Sequence, residues 1–172
     1  ITVIPRGRDL DGLGRRTTER RAGVRRSLGL SPQTAVVLAV GRHERQKGFD
    51  TLLDAVPAVV DGHPDVKVLV AGRDGAATPE LRRRLDEMNV PRGVVDFLGE
   101  RTDIADLLCA ADVVAMPSRW EGAPGTLIEA MALECPIVCS DLPMIREVVD
   151  VGGGVAHYVP IGDADTLATE LL

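Results

Sequence analysis

Apolar residues in this chain arrive in short continuous runs, separated by longer stretches with helical spacing. The runs are "ITVIP" (1–5), "AVVLAVG" (35–41), "VKVLVAG" (66–72), "VVDFLG" (94–99), "DVVAMPS" (112–118), "PIVCSD" (136–141) and "GVAHYVP" (154–160). Most are apolar at successive positions rather than at alternate ones, which suits strands covered on both faces. Helix-like segments lie between them, near 17–28, 49–61, 79–88, 103–110, 125–133, 143–149 and 163–172. Ser31-Pro32 opens a turn, Thr78-Pro79 and Thr102-Asp103 read as helix starts, and Asp163 reads as a cap. Strand and helix in alternation call for right-handed crossovers and a Rossmann-like, doubly wound, mainly parallel sheet with helices on both faces. No linker or low-complexity stretch interrupts 30–160, so the pattern predicts one α/β domain.

Composition narrows the class. The chain has 172 residues, 45% of them apolar and only 2% aromatic, so one domain with an aliphatic core is expected. No run reaches the roughly 18 apolar residues of a membrane span. A formal charge of −6 argues against nucleic acid, which wants a basic face. The three cysteines suggest no disulfide framework: Cys135 and Cys139 are four apart in a strand, about 13 Å between Cα atoms, too far to bridge. A reducing, cytoplasmic setting follows. The sequence opens on a strand-like segment without an initiator Met and stops in a helix-like one, so a fragment of a longer protein is expected.

Ligands of such sheets sit where loops leave the C-terminal ends of the strands, and four of those loops carry unusual chemistry, two of them above all. In "GRHERQKGF" (41–49), Gly41 ends a strand, Arg42 and Lys47 lie five apart, and Gly48 precedes a helix. Cations on a tight loop at a helix N-terminus suit a diphosphate; a solvated loop with incidental charges shows the same residues. Neither a P-loop nor a G-x-G-x-x-G is present. In "EGAPGTLIE" (121–129), Pro124 fits the first turn of a helix, and the amides of Gly125 and Thr126 are expected to point out of its N-terminus. Glu129, four residues beyond Gly125, shares its face, and Glu121 sits in the loop ahead of it. The two carboxylates would flank a phosphate-sized gap and accept hydrogen bonds from vicinal hydroxyls. The alternative is a helix-dipole Glu and a Glu at the surface. His43, His63 and His157 are scattered without zinc spacing, and His43 reads as a solvated loop residue.

Together these segments resemble the donor-binding C-terminal half of a family 4 glycosyltransferase, a retaining enzyme of the GT-B fold. The resemblance runs through "VIPRGRD", "VGRHERQKGFDTLLDA", "VLVAGRDG", "VDFLGERTDIADLLCAADVVAMPS" and "EGAPGTLIEAMALECPIVCSD" to "IREVV". The spacing of Glu121 and Glu129, joined to R-x4-K before a glycine, is its most specific part. It implies that the whole chain, 1–172, is a nucleotide-sugar-binding domain, and that an N-terminal acceptor-binding domain lies outside it. The donor would be a nucleotide-sugar such as a UDP- or GDP-hexose, with no metal or other cofactor. Arg42 and Lys47 would bind the diphosphate, Glu121 the sugar and Glu129 the ribose diol. The amides of Ala123, Gly125 and Thr126 would sit near the distal phosphate, and backbone from Leu98 and Gly99 to Arg101 would meet the base. Gly41 and Gly122 would keep side chains out of the way. A carbohydrate or lipid-linked acceptor would be held by the outside domain, so the chain alone would bind donor and transfer little.

Departures from the family pattern are Arg6 for the usual Asn, Glu134 where Gly is common, predicting a different turn, and no glycine before Ile145. "GRRTTERRAGVRRSLG" holds arginines at 15, 16, 20, 21, 25 and 26. They could rest on an anionic membrane on the cytoplasmic side, or form a solvated helix face. Other readings of the same binding residues are a non-catalytic nucleotide-sugar sensor and another GT-B enzyme, such as a sugar-nucleotide epimerase. A pyridoxal-phosphate enzyme needs a suitably placed lysine, and Lys47 and Lys67 are the only two here.

Overall fold

The computed structural model describes residues 9–172; the strand expected at 1–5 and the departure at Arg6 lie outside them. Among the described residues, six strands form one sheet: β1 (Ala35–Val40), β2 (Val66–Ala71), β3 (Val95–Gly99), β4 (Val113–Met116), β5 (Ile137–Ser140) and β6 (His157–Val159). Their spatial order is β3-β2-β1-β4-β5-β6, and every pair is parallel. The doubly wound architecture expected from the pattern is therefore present. The helices are α1 (Leu10–Leu13), α2 (Thr18–Ser27), α3 (Phe49–Gly62), α4 (Thr78–Glu87), α5 (Ile104–Ala110), α6 (Gly125–Ala132), α7 (Pro143–Gly152) and α8 (Ala164–Leu171). The short α1 and a 3-10 turn at Arg45–Lys47 are additions to the expected set.

The continuous apolar runs are explained by two separate cores. Val36 and Leu38 face one side and join Leu107, Leu127 and Ile145. Val37 and Ala39 face the other and join Leu52, Val56, Leu81 and Leu167. Both parities of β1 are buried, and each fully buried aliphatic side chain contributes about 1.5–3 kcal/mol. The strand order reverses between β1 and β4, whose register pairs Val37 with Val113 and Leu38 with Val114. At such a reversal the loops leave β1 and β4 in opposite directions and open a crevice.

Helix α2 attaches by arginine rather than by an apolar stripe. Arg21 Nη1 donates to the carbonyls of Ala110 (3.0 Å) and Ala111 (2.7 Å), and Arg16 Nη2 also reaches Ala111 (2.7 Å). Arg20 pairs with Asp106 at 2.7 Å. Arg25 is 4% exposed and donates to Ala110, Ser31, Thr34 and Asp112. These guanidinium groups occupy carbonyls at the C-terminal end of α5, where the helix presents orphan acceptors and partial negative charge. Neither a membrane face nor a fully solvated one is needed for Arg16, Arg20, Arg21 and Arg25, which are committed to the fold; Arg15 and Arg26 remain exposed.

Caps agree in part. Asp163 accepts from Thr166 N (2.9 Å) and Ser31 Oγ from Gln33 N (3.0 Å). Thr78 is already helical, and its hydroxyl instead accepts from Gly75 N (2.9 Å). Glu134 adopts φ 53°, a left-handed conformation, so it keeps a glycine-like turn rather than the different one expected.

Candidate functional site

The loop after β1 doubles back through the 3-10 turn and meets the loop after β4. Their crossing requires Gly48: at φ 64° it ends the turn, and a Cβ there would lie 1.9 Å from the Pro117 carbonyl oxygen. The Lys47 stem folds over Gly41, where a Cβ would stand 3.0 Å from Lys47 Cε. This path brings Lys47 Nζ to 2.7 Å from Glu121 Oε1. Ser118 Oγ donates to the same oxygen at 2.7 Å, and Gln46 Nε2 lies 3.4 Å from Oε2 while donating to the Trp120 carbonyl at 2.9 Å. The Glu121 side chain is 4% exposed and that of Lys47 23%. A carboxylate so buried costs several kcal/mol unless paired, and Lys47 with two neutral donors offsets that cost.

Lys47 and Glu121, expected on one crevice, are thus in direct contact. Glu121 corrects the expectation in one respect, because its carboxylate is turned inward onto Lys47 rather than held open. Arg42 stands apart, exposed, with Glu44 3.7 Å away. On α6, Pro124 is the N-cap rather than the first helical residue. The Gly125 amide is correspondingly turned back to the Ala123 carbonyl at 2.8 Å, which corrects its expected outward direction. Glu129 lies one turn further, half-buried, on the same helix. Gly122 and Ala123 are exposed at the mouth of the loop. Leu98 and Gly99 end β3 at the sheet edge, and Gly72 N donates to the Gly99 carbonyl at 2.8 Å, linking that end to the loop after β2. Arg101 there is held by Asp103.

Two features were not visible in the sequence. Arg119 grips Asp50 with both guanidinium nitrogens, at 2.7 and 2.8 Å. Against the upward push of burial, these bonds hold the Asp50 carboxyl below its ordinary value. His43, read as solvated, is 1% exposed, with its ring against Phe49 and Phe97 at 6.0 and 5.1 Å between centroids. Its Nδ1 lies 3.2 Å from Thr78 Oγ1, and Nε2 has no partner among the described residues. Burial lowers its pKa, and Asp74 opposes that shift incompletely. A polar run hides this: only the tertiary approach of Phe49 and Phe97 covers the ring. Among the described residues, no group of three His, Cys, Asp or Glu side chains is placed to hold a metal ion. No described helix is long and apolar enough to cross a membrane.

A sequence profile described as "Glycosyl transferases group 1" matches residues 34–172, most of the chain. The chain belongs to this glycosyl transferase family. Among its curated relatives, the lipopolysaccharide core biosynthesis mannosyltransferase LpsB of Rhizobium meliloti is 36% identical over 131 residues, 74% of this chain and 37% of the relative. A phosphatidyl-myo-inositol mannosyltransferase of Mycobacterium leprae is 35% identical over 187 residues, covering 100% of this chain and 48% of its own. The chain therefore spans less than half the length of these relatives. Among solved structures, Anabaena Alr3699/HepE in complex with UDP-glucose superposes with a TM-score of 0.81 at 27% identity, over 96% of this chain and 45% of that one. The fold is the Rossmann-like half that a resemblance to GT-B glycosyltransferases implies.

Proposed function

We propose that this glycosyl transferase chain binds a nucleotide-diphosphate sugar and serves the transfer of its hexosyl group to a carbohydrate or glycolipid acceptor with retention of configuration. The observation that carries the reading is the meeting of Lys47 and Glu121 across the crevice between the loops of β1 and β4. A diphosphate entering there meets the Lys47 ammonium, with Arg42 exposed at the rim, and the Thr126 amide at the start of α6. Glu121 and Glu129 supply acceptors for sugar and ribose hydroxyls, and the backbone of 98–101 borders the base.

As the bond from the sugar's anomeric carbon to the diphosphate oxygen breaks, negative charge grows on the leaving phosphate. Lys47 and Arg42 stabilise that charge, and loss of one such donor costs about 3–4 kcal/mol of barrier. In this reading the charge is met by side chains and amides, so EDTA leaves donor affinity unchanged. We assign the whole protein to the cytoplasm, a setting that suits the buried, unpaired thiols of Cys109, Cys135 and Cys139. The names of the mannosyltransferase relatives favour a glycolipid or lipopolysaccharide acceptor. Acceptor binding is assigned outside this domain, so the chain alone binds donor without transfer.

Calorimetric titration with UDP, GDP and ADP tests the reading. One nucleotide is expected to bind and to weaken at least tenfold in both Lys47→Met and Glu129→Ala. Absence of heat with all three at millimolar concentration sinks it.

A further inference from the structure

The donor reading leaves one group of contacts unused. Arg119 is the third residue after β4, following Pro117 and Ser118, and the donor reading gives it no role. It makes four polar contacts with the other loop. Nη1 and Nη2 grip Asp50 at 2.7 and 2.8 Å, Nη1 also donates to the Arg45 carbonyl at 3.0 Å, and its amide donates to the Gln46 carbonyl at 2.8 Å. Asp50 stands in the first turn of α3, directly after Gly48 and Phe49. Arg119 therefore ties the loop after β4 to both ends of the turn that carries Lys47, and Glu121 follows two residues later. Both partners are largely withdrawn from solvent, their side chains 22% and 27% exposed. A paired, planar fork in that setting holds geometry as well as charge.

We propose, on the donor reading above, that Arg119 is a positioning residue of the donor site: clasped by Asp50, it locks the two loops so that Lys47 and Glu121 meet at one place in the crevice. The site is then built before any ligand arrives. Lysine cannot substitute fully, because a single ammonium cannot span both Asp50 oxygens and the Arg45 carbonyl in the same planar arrangement.

Trp120, the chain's only tryptophan, lies between Arg119 and Glu121, so selectively excited tryptophan fluorescence reads this loop alone. The variants are Arg119→Met and Arg119→Lys, checked for fold by circular dichroism. Two quantities are measured: Trp120 anisotropy without ligand, and affinity for UDP, GDP and ADP by calorimetry. Arg119→Met is expected to lower the anisotropy and weaken the nucleotide that binds by about tenfold, with Arg119→Lys restoring part of both. A purely structural role predicts a lower melting temperature with anisotropy and affinity unchanged, and that result overturns the proposal. If the wild type binds none of UDP, GDP and ADP, the donor reading falls and the role of Arg119 with it; if the wild type binds and Arg119→Met binds equally well, only the role falls. Should Arg119→Met fail to fold, Asp50→Asn is read in the same way. It keeps the side-chain shape and weakens the clasp, and a loss of about threefold is expected.

Discussion

On the proposed donor reading, Glu121 presents its carboxylate to Lys47 in the place that a phosphate oxygen would take. It therefore competes with a diphosphate for the same ammonium. Glu121→Gln is expected to bind a bare nucleoside diphosphate about tenfold more tightly, near 1.4 kcal/mol. The matching nucleotide-sugar should not share that gain in full, because its hydroxyls exchange a charged acceptor for a weaker, neutral one. Paired calorimetric titrations decide; equal gains for both ligands would remove the sugar from Glu121. A second residue-scale outcome concerns His43, whose folded pKa lies below its ordinary 6.5. The native state favours the neutral ring, so its contribution to stability is complete above pH 6.5 and declines as pH falls below that toward the folded value. His43→Leu should flatten the fall below pH 6.5 in urea unfolding. It should also raise stability by about 1 kcal/mol, since the unpartnered Nε2 disappears. The sequence identified Arg42, Lys47, Glu121 and Glu129 as chemically unusual by spacing alone. It could not show that Glu121 turns inward, because that depends on Lys47 crossing from a loop 74 positions away.

At the scale of elements, strand and helix positions were legible because most strands are apolar at successive positions and most helices carry their apolar residues at helical spacing. The attachment of α2 was not legible. Its arginines look like a solvated face until the C-terminal carbonyls of α5 are brought beside them, and periodicity says nothing about that partner. Arg25→Met should cost about 3 kcal/mol in chemical unfolding, since it leaves buried carbonyls and Asp112 short of a donor. Arg26→Met, on the exposed side of the same helix, should change stability by less than about 0.5 kcal/mol. Glu134 is the converse case, an ordinary residue held at φ 53°. Replacing it by Gly relieves roughly 1–2 kcal/mol of left-handed strain, offset by about 0.5–1 kcal/mol of added chain entropy. A rise of a few degrees in Tm is the expected net result.

For the whole molecule, the order β3-β2-β1-β4-β5-β6 decides where a ligand can bind. A reversal somewhere in the sheet was implied by the alternation of strands and helices, but that β1 and β4 flank it is a matter of topology that local pattern does not encode. With most of the arginines of α2 committed and a net charge of −6, the chain is expected not to co-sediment with vesicles containing anionic lipid at 0.15 M salt. Binding that disappears on substitution of Arg15 and Arg26 would restore a membrane role to this surface.

The crossing at Gly48 and Pro117 has a consequence for how this domain can change. The loops after β1 and β4 are pinned to one another at the crossing itself and again at the Arg119–Asp50 pair. A residue inserted into either one shifts its half of the crevice by a full backbone step while the other half stays fixed. The lengths of the two loops therefore behave as one variable, and tolerated insertions should fall in the unpinned connections elsewhere in the domain.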